Sequence, residues 1–301
     1  MQGLGLEGKV AIVTGAGGGI GAAIARQLAA LGARVVVNDI GSTLAGDGRD
    51  QGPAASVTAS IKAAGGEATE SADDVADWGE AHRLVELALD SFGGLDIVVN
   101  NAAVLQFSAF QDSDADSLAR HLSVNLGGVF NVARAAAPAF QRQQSGAYVH
   151  MTSSTGLIGM RGNAPYLTSK SAVVALSRAI ALDMEKFNVR SNCVAPAAAS
   201  RMSPKRADAE TEALYQRKLR PETVAPLVAY LASDAASEVN GQVIGVRGSE
   251  LYLYSQPRPI RTLHRGEGWS TEAIAEHLVP AWRASFTPLE ETYQVFAWPP
   301  L

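Results

Sequence analysis

Three polar residues in the middle of the chain have the types and spacing of a proton-transfer site. Tyr166 and Lys170 form a Tyr-x-x-x-Lys pair at the start of a predicted helix, so their side chains lie on one face, one turn apart. A phenol is a weak base near neutral pH, and a nearby ammonium is expected to stabilise the phenolate and lower its pKa. Ser153 ends an apolar strand pattern thirteen residues earlier, where its hydroxyl can bind the same substrate oxygen. These residues predict general acid–base chemistry at a hydroxyl or carbonyl group.

Two glycine patterns near the start of the chain could each bind a phosphate. The pattern G-x-G-x-x-G at residues 3–8 has the usual dinucleotide spacing, but it precedes any strand and is interpreted as a flexible leader. The pattern G-x-x-x-G-x-G at residues 15–21 follows an apolar run and precedes a helical pattern that ends at Gly32. A pyrophosphate needs N–H groups at a helix N-terminus just beyond a buried strand. The second pattern is therefore the predicted site.

Asp39 is the predicted recognition residue for the adenosine ribose of a dinucleotide. It ends the second strand pattern, eighteen residues after Gly21. A carboxylate at this position accepts hydrogen bonds from the ribose and repels a 2′-phosphate. Gly17 and Gly18 stand where a 2′-phosphate site often has an arginine or a lysine. The expected cofactor is NAD rather than NADP, and a plain strand-capping role for Asp39 is the alternative.

Strand-like and helical patterns alternate along most of the chain. The strand patterns are residues 9–14, 34–39, 67–71, 95–100, 147–152, 189–195 and 242–246. The clearest helical patterns are residues 78–92, 117–143, 166–187 and 223–233. Each parallel strand pair needs a crossover connection, usually a helix. The alternation predicts an α/β fold, a Rossmann-type doubly wound sheet of seven parallel strands with helices on both faces.

Two irregular stretches interrupt this pattern at the edge of the sheet where ligands bind. Residues 41–53 form a Gly/Asp-rich loop directly after the second strand. Residues 197–220 are polar and charged, and they follow the sixth strand. Loops at the carboxyl edge of such sheets are usually binding elements or lids, and a plain surface insertion is the alternative.

The chain is predicted to consist of a Rossmann domain, residues 1–248, and a C-terminal extension, residues 249–301. The extension has one helical pattern, residues 271–285, and is too apolar and aromatic to be disordered. Its tryptophans, Trp269, Trp282 and Trp298, are interpreted as packing residues. We expect the extension to cover its own substrate cleft or to reach across an interface between subunits.

Composition limits the class of function. The chain has 301 residues, of which 47% are hydrophobic, and a net charge of −5, which argues against nucleic acid or an anionic membrane as partner. The single cysteine, Cys193, excludes an internal disulfide, and the scattered histidines predict no metal site. No apolar run has membrane-spanning length and no signal segment is recognisable, which predicts a cytoplasmic protein, with import into an organelle as the alternative.

Together these motifs resemble the short-chain dehydrogenase/reductase family from about Leu6 to Gly248. The matching pieces are TGAGGGIG at residues 14–21, NNAA at 100–103, SVNLGG at 123–128, Ser153 with YLTSK at 166–170, and NCVAP at 192–196. The resemblance implies an oxidoreductase that passes a hydride between a nicotinamide and a secondary alcohol or ketone, a small-molecule substrate. It also implies a homodimer or homotetramer.

The resemblance also implies roles for single residues. Asn125 would anchor a water in a proton relay through Lys170, and Lys170 would also hold the nicotinamide ribose. The implied catalytic residues are Asn125, Ser153, Tyr166 and Lys170. The expected cofactor-binding residues are Gly15, Gly18, Gly19, Ile20, Gly21, Asp39, Asp74, Val75, Asn101, Ala102, Ala103, Tyr166, Lys170 and Pro196, with Asp74 and Val75 near adenine.

The chain departs from the family pattern at a few positions. The family usually has glycine where this chain has Ala103, and often where it has Ala197, so each position adds a methyl group near the cofactor backbone. Ser154 is the alternative catalytic hydroxyl to Ser153. The alternative function is a catalytically silent protein that senses NAD(H) or acts as a scaffold, and the intact catalytic set argues against it.

A narrower resemblance concerns the substrate. It rests on VVVNDIG at residues 35–41, APAAASRM at 195–202, LRPETVAPLVAYLAS at 219–233 and the extension. These pieces resemble the D-3-hydroxyacyl-CoA dehydrogenase domain of peroxisomal multifunctional enzymes and bacterial hydroxysteroid dehydrogenases. The implied substrate is a bulky secondary alcohol such as a hydroxyacyl-CoA or a steroid. Lys205 and Arg206 could meet CoA phosphates, with a solvated loop face as the alternative.

Overall fold

One eight-stranded sheet organises the residues that the computed structural model describes, which are 4–200, 202 and 208–301. Its strands are β1 (Val10–Thr14), β2 (Arg34–Asn38), β3 (Ala68–Ser71), β4 (Ile97–Asn100), β5 (Gly146–Met151), β6 (Val189–Ala197), β7 (Val243–Arg247) and β8 (Glu250–Leu253). Their order in the sheet is β3-β2-β1-β4-β5-β6-β7-β8. The first seven strands are parallel, which confirms the predicted α/β fold. Lys205 and Arg206 lie outside the described residues.

The eighth strand was missed by the sequence reasoning, which placed everything after Gly248 in the extension. β8 runs antiparallel to β7, with Arg247 opposite Glu250 and Ile244 opposite Leu253. Gly248 has a φ of +61°, a conformation that glycine adopts at no steric cost in a tight hairpin. The sheet therefore continues into the extension, and the boundary at Gly248 stays a prediction.

Helices cover both faces of the sheet. They are α1 (Gly19–Ala30), α2 (Gly52–Ala63), α3 (Trp78–Phe92), α4 (Ala115–His121), α5 (Val129–Gln143), α6 (Ser154–Leu157), α7 (Ala164–Met184), α8 (Ala209–Lys218), α9 (Ala225–Ala232), α10 (Thr271–Trp282) and α11 (Thr292–Val295). The predicted helix at residues 117–143 is divided by a π-helical turn, Leu122–Gly128, between α4 and α5. Among the described residues, no helix is long and apolar enough to cross a membrane.

Strand β1 shows how the core is divided between the two faces of the sheet. Ala11 and Val13 pack with α1, α2 and α9, whereas Val10 and Ile12 pack with α3 and α5. Since alternate residues of a strand point to opposite faces, a central strand buried on both sides must be apolar throughout. Each fully buried Val or Ile contributes roughly 1.5–3 kcal/mol.

The strand order reverses between β1 and β4, and this reversal places the candidate site. From β1 the chain passes to β2 on one side and, after β3, returns to β4 on the other. Ligands bind in the crevice that such a reversal opens at the carboxyl ends of the strands. Residues 15–21 follow the carboxyl end of β1. Gly8, by contrast, donates a hydrogen bond to Gly32 O at 2.9 Å, before β1 begins, so Gly8 lies at the opposite edge.

Candidate active site

The glycine turn after β1 is built from backbone contacts that leave no room for side chains at its two ends. A Cβ on Gly15 would lie 2.8 Å from Ala102 Cα, and a φ of +62° also favours glycine there. A Cβ on Gly21 would lie 2.2 Å from the carbonyl oxygen of Gly15. β1, the turn and α1 therefore pack as closely as a phosphate-binding backbone requires.

The middle of the turn is open. A Cβ on Gly18 or Gly19 would meet no protein atom within 4 Å, and α1 begins at Gly19 with no acidic residue in its first turn. The first N–H groups of a helix have no intrahelical partner and attract a phosphate. Ile20 lines the neighbouring cavity. Residues 15–21 therefore fit the pyrophosphate of a dinucleotide.

Asp39 lies one residue beyond the end of β2, and its carboxylate is held from two sides. Oδ2 accepts a hydrogen bond from Gly17 N at 2.8 Å, and Oδ1 accepts one from Gly41 N at 2.7 Å. A carboxylate offers about four lone-pair sites, so two of them remain for hydroxyl donors. The carboxylate thus both fixes the glycine turn and presents acceptors beside it.

Asp74 and Val75 follow β3 in a turn that is fixed by hydrogen bonds. Asp74 N donates to Glu80 Oε2 at 2.7 Å, and Asp74 Oδ1 accepts from Ala76 N at 2.9 Å. Val75 is buried, and its carbonyl oxygen accepts from Asn131 Nδ2 at 3.0 Å. The turn is therefore preorganised at the place where the family resemblance expects adenine.

Arg49 reaches this turn from the long loop after β2, and the sequence reasoning had not singled it out. Its guanidinium lies 3.2 Å from Glu80 Oε1 and 3.9 Å from Asp74 Oδ2. The hydrogen bond with Glu80 is the largest cause of the raised pKa of Arg49. A basic residue in the glycine-rich loop that follows Asp39 was the feature of the sequence that could have identified Arg49.

Asn101 and Ala102 are tied to the end of β1. Thr14 Oγ1 accepts hydrogen bonds from Asn101 N at 3.0 Å and from Ala102 N at 3.1 Å. Asn101 Nδ2 donates to the carbonyl oxygens of Thr14 at 2.9 Å and of Gly15 at 3.0 Å. These bonds join the ends of β1 and β4 and hold the glycine turn against Ala102.

Ser153, Tyr166 and Lys170 line one cavity of about 310 Å³, which confirms that the three predicted side chains meet. Ser153 follows β5 and caps α6, with its Oγ 2.8 Å from Thr155 Oγ1. Tyr166 and Lys170 lie in the first two turns of α7. Asn101, Ala103 and Pro196 line the same cavity, and so does Ser154. Ser153 is hydrogen-bonded to the phenol of Tyr166.

Burial controls the protonation of the two titratable groups. Desolvation raises the pKa of Tyr166 to about 12, and the hydrogen bond with Ser153 acts in the opposite direction. Desolvation lowers the pKa of Lys170 to about 8. Lys170 Nζ donates to Met151 O at 2.9 Å and lies 5.9 Å from the centre of the Tyr166 ring. The pKa of Tyr166 is therefore shifted by desolvation in the direction opposite to the lowering that was expected from a nearby ammonium.

Asn125 lies in the π-helical turn, and its side chain is committed to protein groups. Its Oδ1 accepts from Val104 N at 2.8 Å, while Nδ2 donates to Val104 O at 3.1 Å and to Ser169 Oγ at 3.0 Å. Ser169 Oγ in turn donates to Tyr166 O at 2.7 Å. The amide thus joins the loop after β4 to the helix that carries Tyr166, and a π-helical turn is often found at functional sites.

His121 lies beside Tyr166. The two ring centres are 6.3 Å apart, edge to face. His121 Nε2 accepts from Gln106 N at 3.2 Å, so Nδ1 carries the proton and donates to Ser117 O at 2.7 Å. The ring therefore holds the segment that contributes Leu105 and Phe107 to the cavity wall. No spacing in the sequence could have indicated this contact.

The C-terminal extension reaches the cavity of its own chain, which is the first of the two arrangements expected for it. Thr292, Tyr293 and Phe296 line the cavity together with Tyr252 and Tyr254. Aromatic residues of the extension therefore form part of the wall of the cavity that holds the catalytic candidates. Trp298 packs against Phe296, with ring centres 5.7 Å apart, whereas Trp269 and Trp282 do not line the cavity.

Comparison with known proteins shows the family. A family model described as enoyl-(acyl carrier protein) reductase matches residues 15–248. A putative short-chain type dehydrogenase/reductase of Mycobacterium tuberculosis is 38% identical over 82% of this chain and 85% of that protein. The chain belongs to the short-chain dehydrogenase/reductase family. It is an oxidoreductase that acts on hydroxyl groups with a nicotinamide cofactor, and the silent alternative finds no support.

Other short-chain dehydrogenase/reductase sequences are similar over most of the chain. The hydroxyacyl-CoA dehydrogenase ChsB1 of Mycobacterium tuberculosis is 37% identical over 90% of this chain and 87% of that protein. The peroxisomal multifunctional enzyme type 2 of Mus musculus is 40% identical over 78% of this chain. The match spans only 31% of the mouse enzyme, which is much longer.

Solved short-chain dehydrogenase/reductase structures share the fold. A short-chain dehydrogenase from Mycobacterium avium superposes with a TM-score of 0.83 at 33% identity, covering 94% of this chain and 97% of that one. A gluconate 5-dehydrogenase from Burkholderia cenocepacia, solved with NADP and tartrate, superposes with a TM-score of 0.72 at 28% identity, covering 82% and 96% of the two chains.

Proposed function

We propose that this chain is an NAD-dependent dehydrogenase of bulky secondary alcohols. The observation that carries the proposal is one cavity that holds Ser153, Tyr166 and Lys170 and whose remaining lining is mainly apolar and aromatic, with Glu212 and Arg247 among its polar members. A polar reacting end and an apolar remainder fit an alcohol carbon with a large hydrocarbon substituent. Hydroxyacyl-CoA thioesters are the substrate class that the name of one relative supports, and steroids are the second class that the sequence resemblance implied.

In this proposal the protein residues orient the alcohol and move its proton. Ser153 binds the substrate oxygen, and Tyr166 accepts the hydroxyl proton in oxidation or donates it in reduction. The nicotinamide supplies the hydride acceptor or donor when it is bound. Residues 15–21, Asp39, Asn101 and Pro196 are the groups that would hold the cofactor, and the open cradle at Gly18 and Gly19 fits its pyrophosphate.

Lys170 and Asn125 are proposed to complete the proton path. Lys170 is buried and cationic below its pKa of about 8, so it can hold a ribose hydroxyl and stabilise charge near Tyr166. Both Nδ2 hydrogens of Asn125 are engaged with protein groups. We therefore propose that the water of the relay binds to the peptide groups of the π-helical turn rather than to the side-chain amide of Asn125.

NAD is proposed as the preferred form of the cofactor. Asp39 places a negative charge beside the glycine turn, and its remaining lone pairs can accept from the two ribose hydroxyls. The 2′-phosphate of NADP would be repelled by this charge. Arg49, the nearby cation, is held by Glu80 and Asp74 instead of facing Asp39.

The test is a screen of cofactor reduction with NAD and NADP against 3-hydroxyacyl-CoAs, hydroxysteroids and aryl alcohols. We expect turnover with NAD on a bulky secondary alcohol. Tyr166→Phe should keep NAD binding and lose about 10²–10⁴-fold in kcat, because only the proton-transfer group is removed. Tyr230→Phe removes a phenol hydroxyl from α9 and is the matched control. Full activity of Tyr166→Phe would contradict the mechanism.

We also propose a homodimer or homotetramer. Trp78 and Phe130 on α3 and α5 are about half exposed, with ring centres 6.5 Å apart, and Leu182 on α7 is 68% exposed. Large apolar side chains grouped on one face support burial against a second copy. Light scattering that gives the mass of one chain at micromolar concentration would contradict this proposal. The cytoplasmic location remains a prediction from the sequence.

A further inference from the structure

Residues 291–301, here named the strap, are held at both ends beside the substrate cavity. One end meets the loop between α6 and α7, just before the helix that carries Tyr166. The other end meets the turn between β7 and β8. Between these anchors two aromatic side chains of the strap line the cavity. The strap therefore spans the cavity wall rather than hanging from one attachment.

The first anchor is centred on Glu291, which is buried. Its Oε1 accepts a hydrogen bond from Arg161 N at 2.7 Å, and its Oε2 accepts from the hydroxyl of Tyr293. Thr292 adds two bonds, because its N and its Oγ1 both donate to Gly159 O at 2.9 Å. The Arg161 guanidinium is 3.3 Å from Glu291 but 87% exposed, so the main-chain bond is the more important contact.

The second anchor is centred on Trp298. Its Nε1 donates to Glu250 Oε1 at 2.7 Å, and the Arg247 guanidinium lies 5.7 Å from the centre of its ring. Arg247 is buried, is paired with Glu250 at 2.8 Å and also donates to Trp298 O. The oxygen of Leu301 accepts from Ser249 Oγ at 2.7 Å. This end is fixed to the β-hairpin by charge-assisted bonds.

The anchored strap holds Phe296 and Tyr293 in defined positions. The Phe296 ring packs 5.0 Å from the Tyr252 ring and 5.7 Å from the Trp298 ring. Tyr293 is fixed through its hydroxyl to Glu291. Both rings line the cavity that also contains Ser153 and Tyr166. A substituent on the alcohol carbon that extends far enough from the catalytic groups therefore meets a fixed aromatic wall.

We propose that Tyr293 and Phe296 set the upper limit on the length of the substrate's hydrocarbon substituent, and that Glu291 is the positioning residue that holds them. This inference rests on the proposed function, since it concerns the substrate of the same cavity. Each methylene that enters an apolar cavity raises kcat/KM about fourfold, the ratio that corresponds to 0.8 kcal/mol. This rise in kcat/KM must stop where the chain reaches the rings of Tyr293 and Phe296.

The test uses a series of unbranched 2-alkanols from 2-butanol to 2-decanol. In the wild type, kcat/KM should rise by about fourfold per methylene and then level off or fall at one chain length. Phe296→Ala and Tyr293→Ala should move this break to longer chains. Phe286→Ala removes a half-exposed aromatic of the extension that does not line the cavity and should leave the break in place.

Glu291 is tested by the same series. Glu291→Ala should remove the break, so that KM keeps falling with chain length beyond the wild-type limit, with kcat for 2-butanol unchanged. Glu291→Gln keeps an acceptor for Arg161 N and should retain the break. Glu290→Ala, at an exposed neighbouring carboxylate, is the matched control. A Glu291→Ala variant with the wild-type break would overturn the positioning role.

A binding experiment separates this inference from the proposed function. Calorimetry measures Kd for the matching 2-alkanones with oxidised cofactor present, a mixture in which no hydride is available. One outcome is that Phe296→Ala moves the break in affinity although no alcohol is turned over. This result would contradict the proposed function and support the inference. A break that neither Phe296→Ala nor Tyr293→Ala moves, or no break at all, overturns the inference.

Discussion

The ammonium nitrogen of Lys170 lies 5.9 Å from the centre of the Tyr166 ring and is hydrogen-bonded to Met151 O at 2.9 Å. The lysine is thus held by the end of β5, close to the phenol but not bonded to it. Because both groups are buried, each is pushed toward its neutral form. Without a cofactor, the phenol of Tyr166 is therefore protonated, and it lies beside a lysine whose pKa is about 8.

Lys170→Met is expected to weaken both NAD binding and turnover. The substitution keeps most of the side-chain volume but removes the ammonium, which is proposed to hold the nicotinamide ribose and to stabilise charge near Tyr166. Loss of a hydrogen bond to a charged group costs about 1.5–3 kcal/mol, which is about 10- to 150-fold in Kd. Calorimetric titration with NAD and steady-state kinetics measure the two effects. Lys186→Met, at an exposed lysine, is the control, and an unchanged Kd in Lys170→Met would contradict the ribose contact.

The two directions of the reaction are expected to differ in their pH dependence. The pKa of about 12 keeps Tyr166 protonated and ready to donate, so kcat/KM for ketone reduction should be flat between about pH 6 and 7.5. In oxidation Tyr166 must accept a proton, and the positive charge of an oxidised nicotinamide favours the phenolate. The rate of oxidation should therefore rise with pH by up to about tenfold per unit.

Initial rates in both directions over this pH range provide the measurement. Tyr166→Phe should lose most of the activity in each direction, so the profiles can be assigned to the phenol. An oxidation rate that is independent of pH across the range would show that another group accepts the proton.

Cofactor preference should change when the charge beside the glycine turn changes. Asp39→Ala with Gly18→Arg is expected to shift the ratio of kcat/KM values toward NADP, because a repelling carboxylate is lost and a cation is gained. A side chain fits at Gly18, where a Cβ meets no atom within 4 Å. At Gly17 it does not, since a Cβ would lie 2.6 Å from Pro53 Cβ.

Asp39→Ala with Gly17→Arg is therefore the matched control, in which the cation is added where the backbone cannot accept it. We expect this protein to bind both cofactors poorly. A wild-type enzyme that prefers NADP would contradict the role assigned to Asp39.

A buried histidine is expected to make the fold sensitive to mild acid. His150 accepts from Asn100 Nδ2 at 3.1 Å and lies 3.2 Å from Ser191 Oγ, and burial lowers its pKa to about 3. As the pH falls below 6.5 the unfolded chain binds a proton at this residue, whereas the folded chain does not until about pH 3. The free energy of unfolding should therefore fall by about 1.4 kcal/mol per pH unit from this site.

Denaturant unfolding at several pH values between about 5 and 6.5 measures this slope. His150→Asn should be less stable at neutral pH but should lose the slope that His150 contributes. His82→Asn replaces a partly exposed histidine and is expected to keep the wild-type slope. Equal slopes in the wild type and His150→Asn would contradict the assignment.

The sequence allowed the sheet and the meeting of the catalytic side chains to be predicted because both depend on strong local signals. Apolar runs followed by glycine or polar residues identify buried parallel strands and their carboxyl ends. Parallel strands bring those ends to one edge, where Ser153 and Tyr166 were expected to come close. The same rule placed the predicted phosphate site at residues 15–21 rather than at residues 3–8, where the usual motif spacing occurs.

Other features were missed because they depend on contacts between distant parts of the chain. β8 is four residues long and follows a two-residue turn, too short for a period-2 pattern to be distinguished from a loop. The π-helical turn keeps the apolar spacing of a helix while changing the hydrogen-bond register. The raised pKa of Tyr166 reflects how deeply the fold buries it, which the Tyr-x-x-x-Lys spacing does not encode.

Strand β8 has one further consequence, which follows from the alternation of its side chains. Tyr252 and Tyr254 face the substrate cavity, whereas Leu251 and Leu253 are 64% and 72% exposed. Since successive residues of a strand point to opposite sides, adding or deleting one residue in the turn at Ser249 would exchange the two pairs. The phenols would then face solvent and the leucines would form the wall. Whether this short turn has an even or an odd number of residues therefore decides whether this side of the cavity is aromatic or aliphatic. The gain or loss of a single codon in the turn would thus change substrate choice without replacing any side chain of the wall.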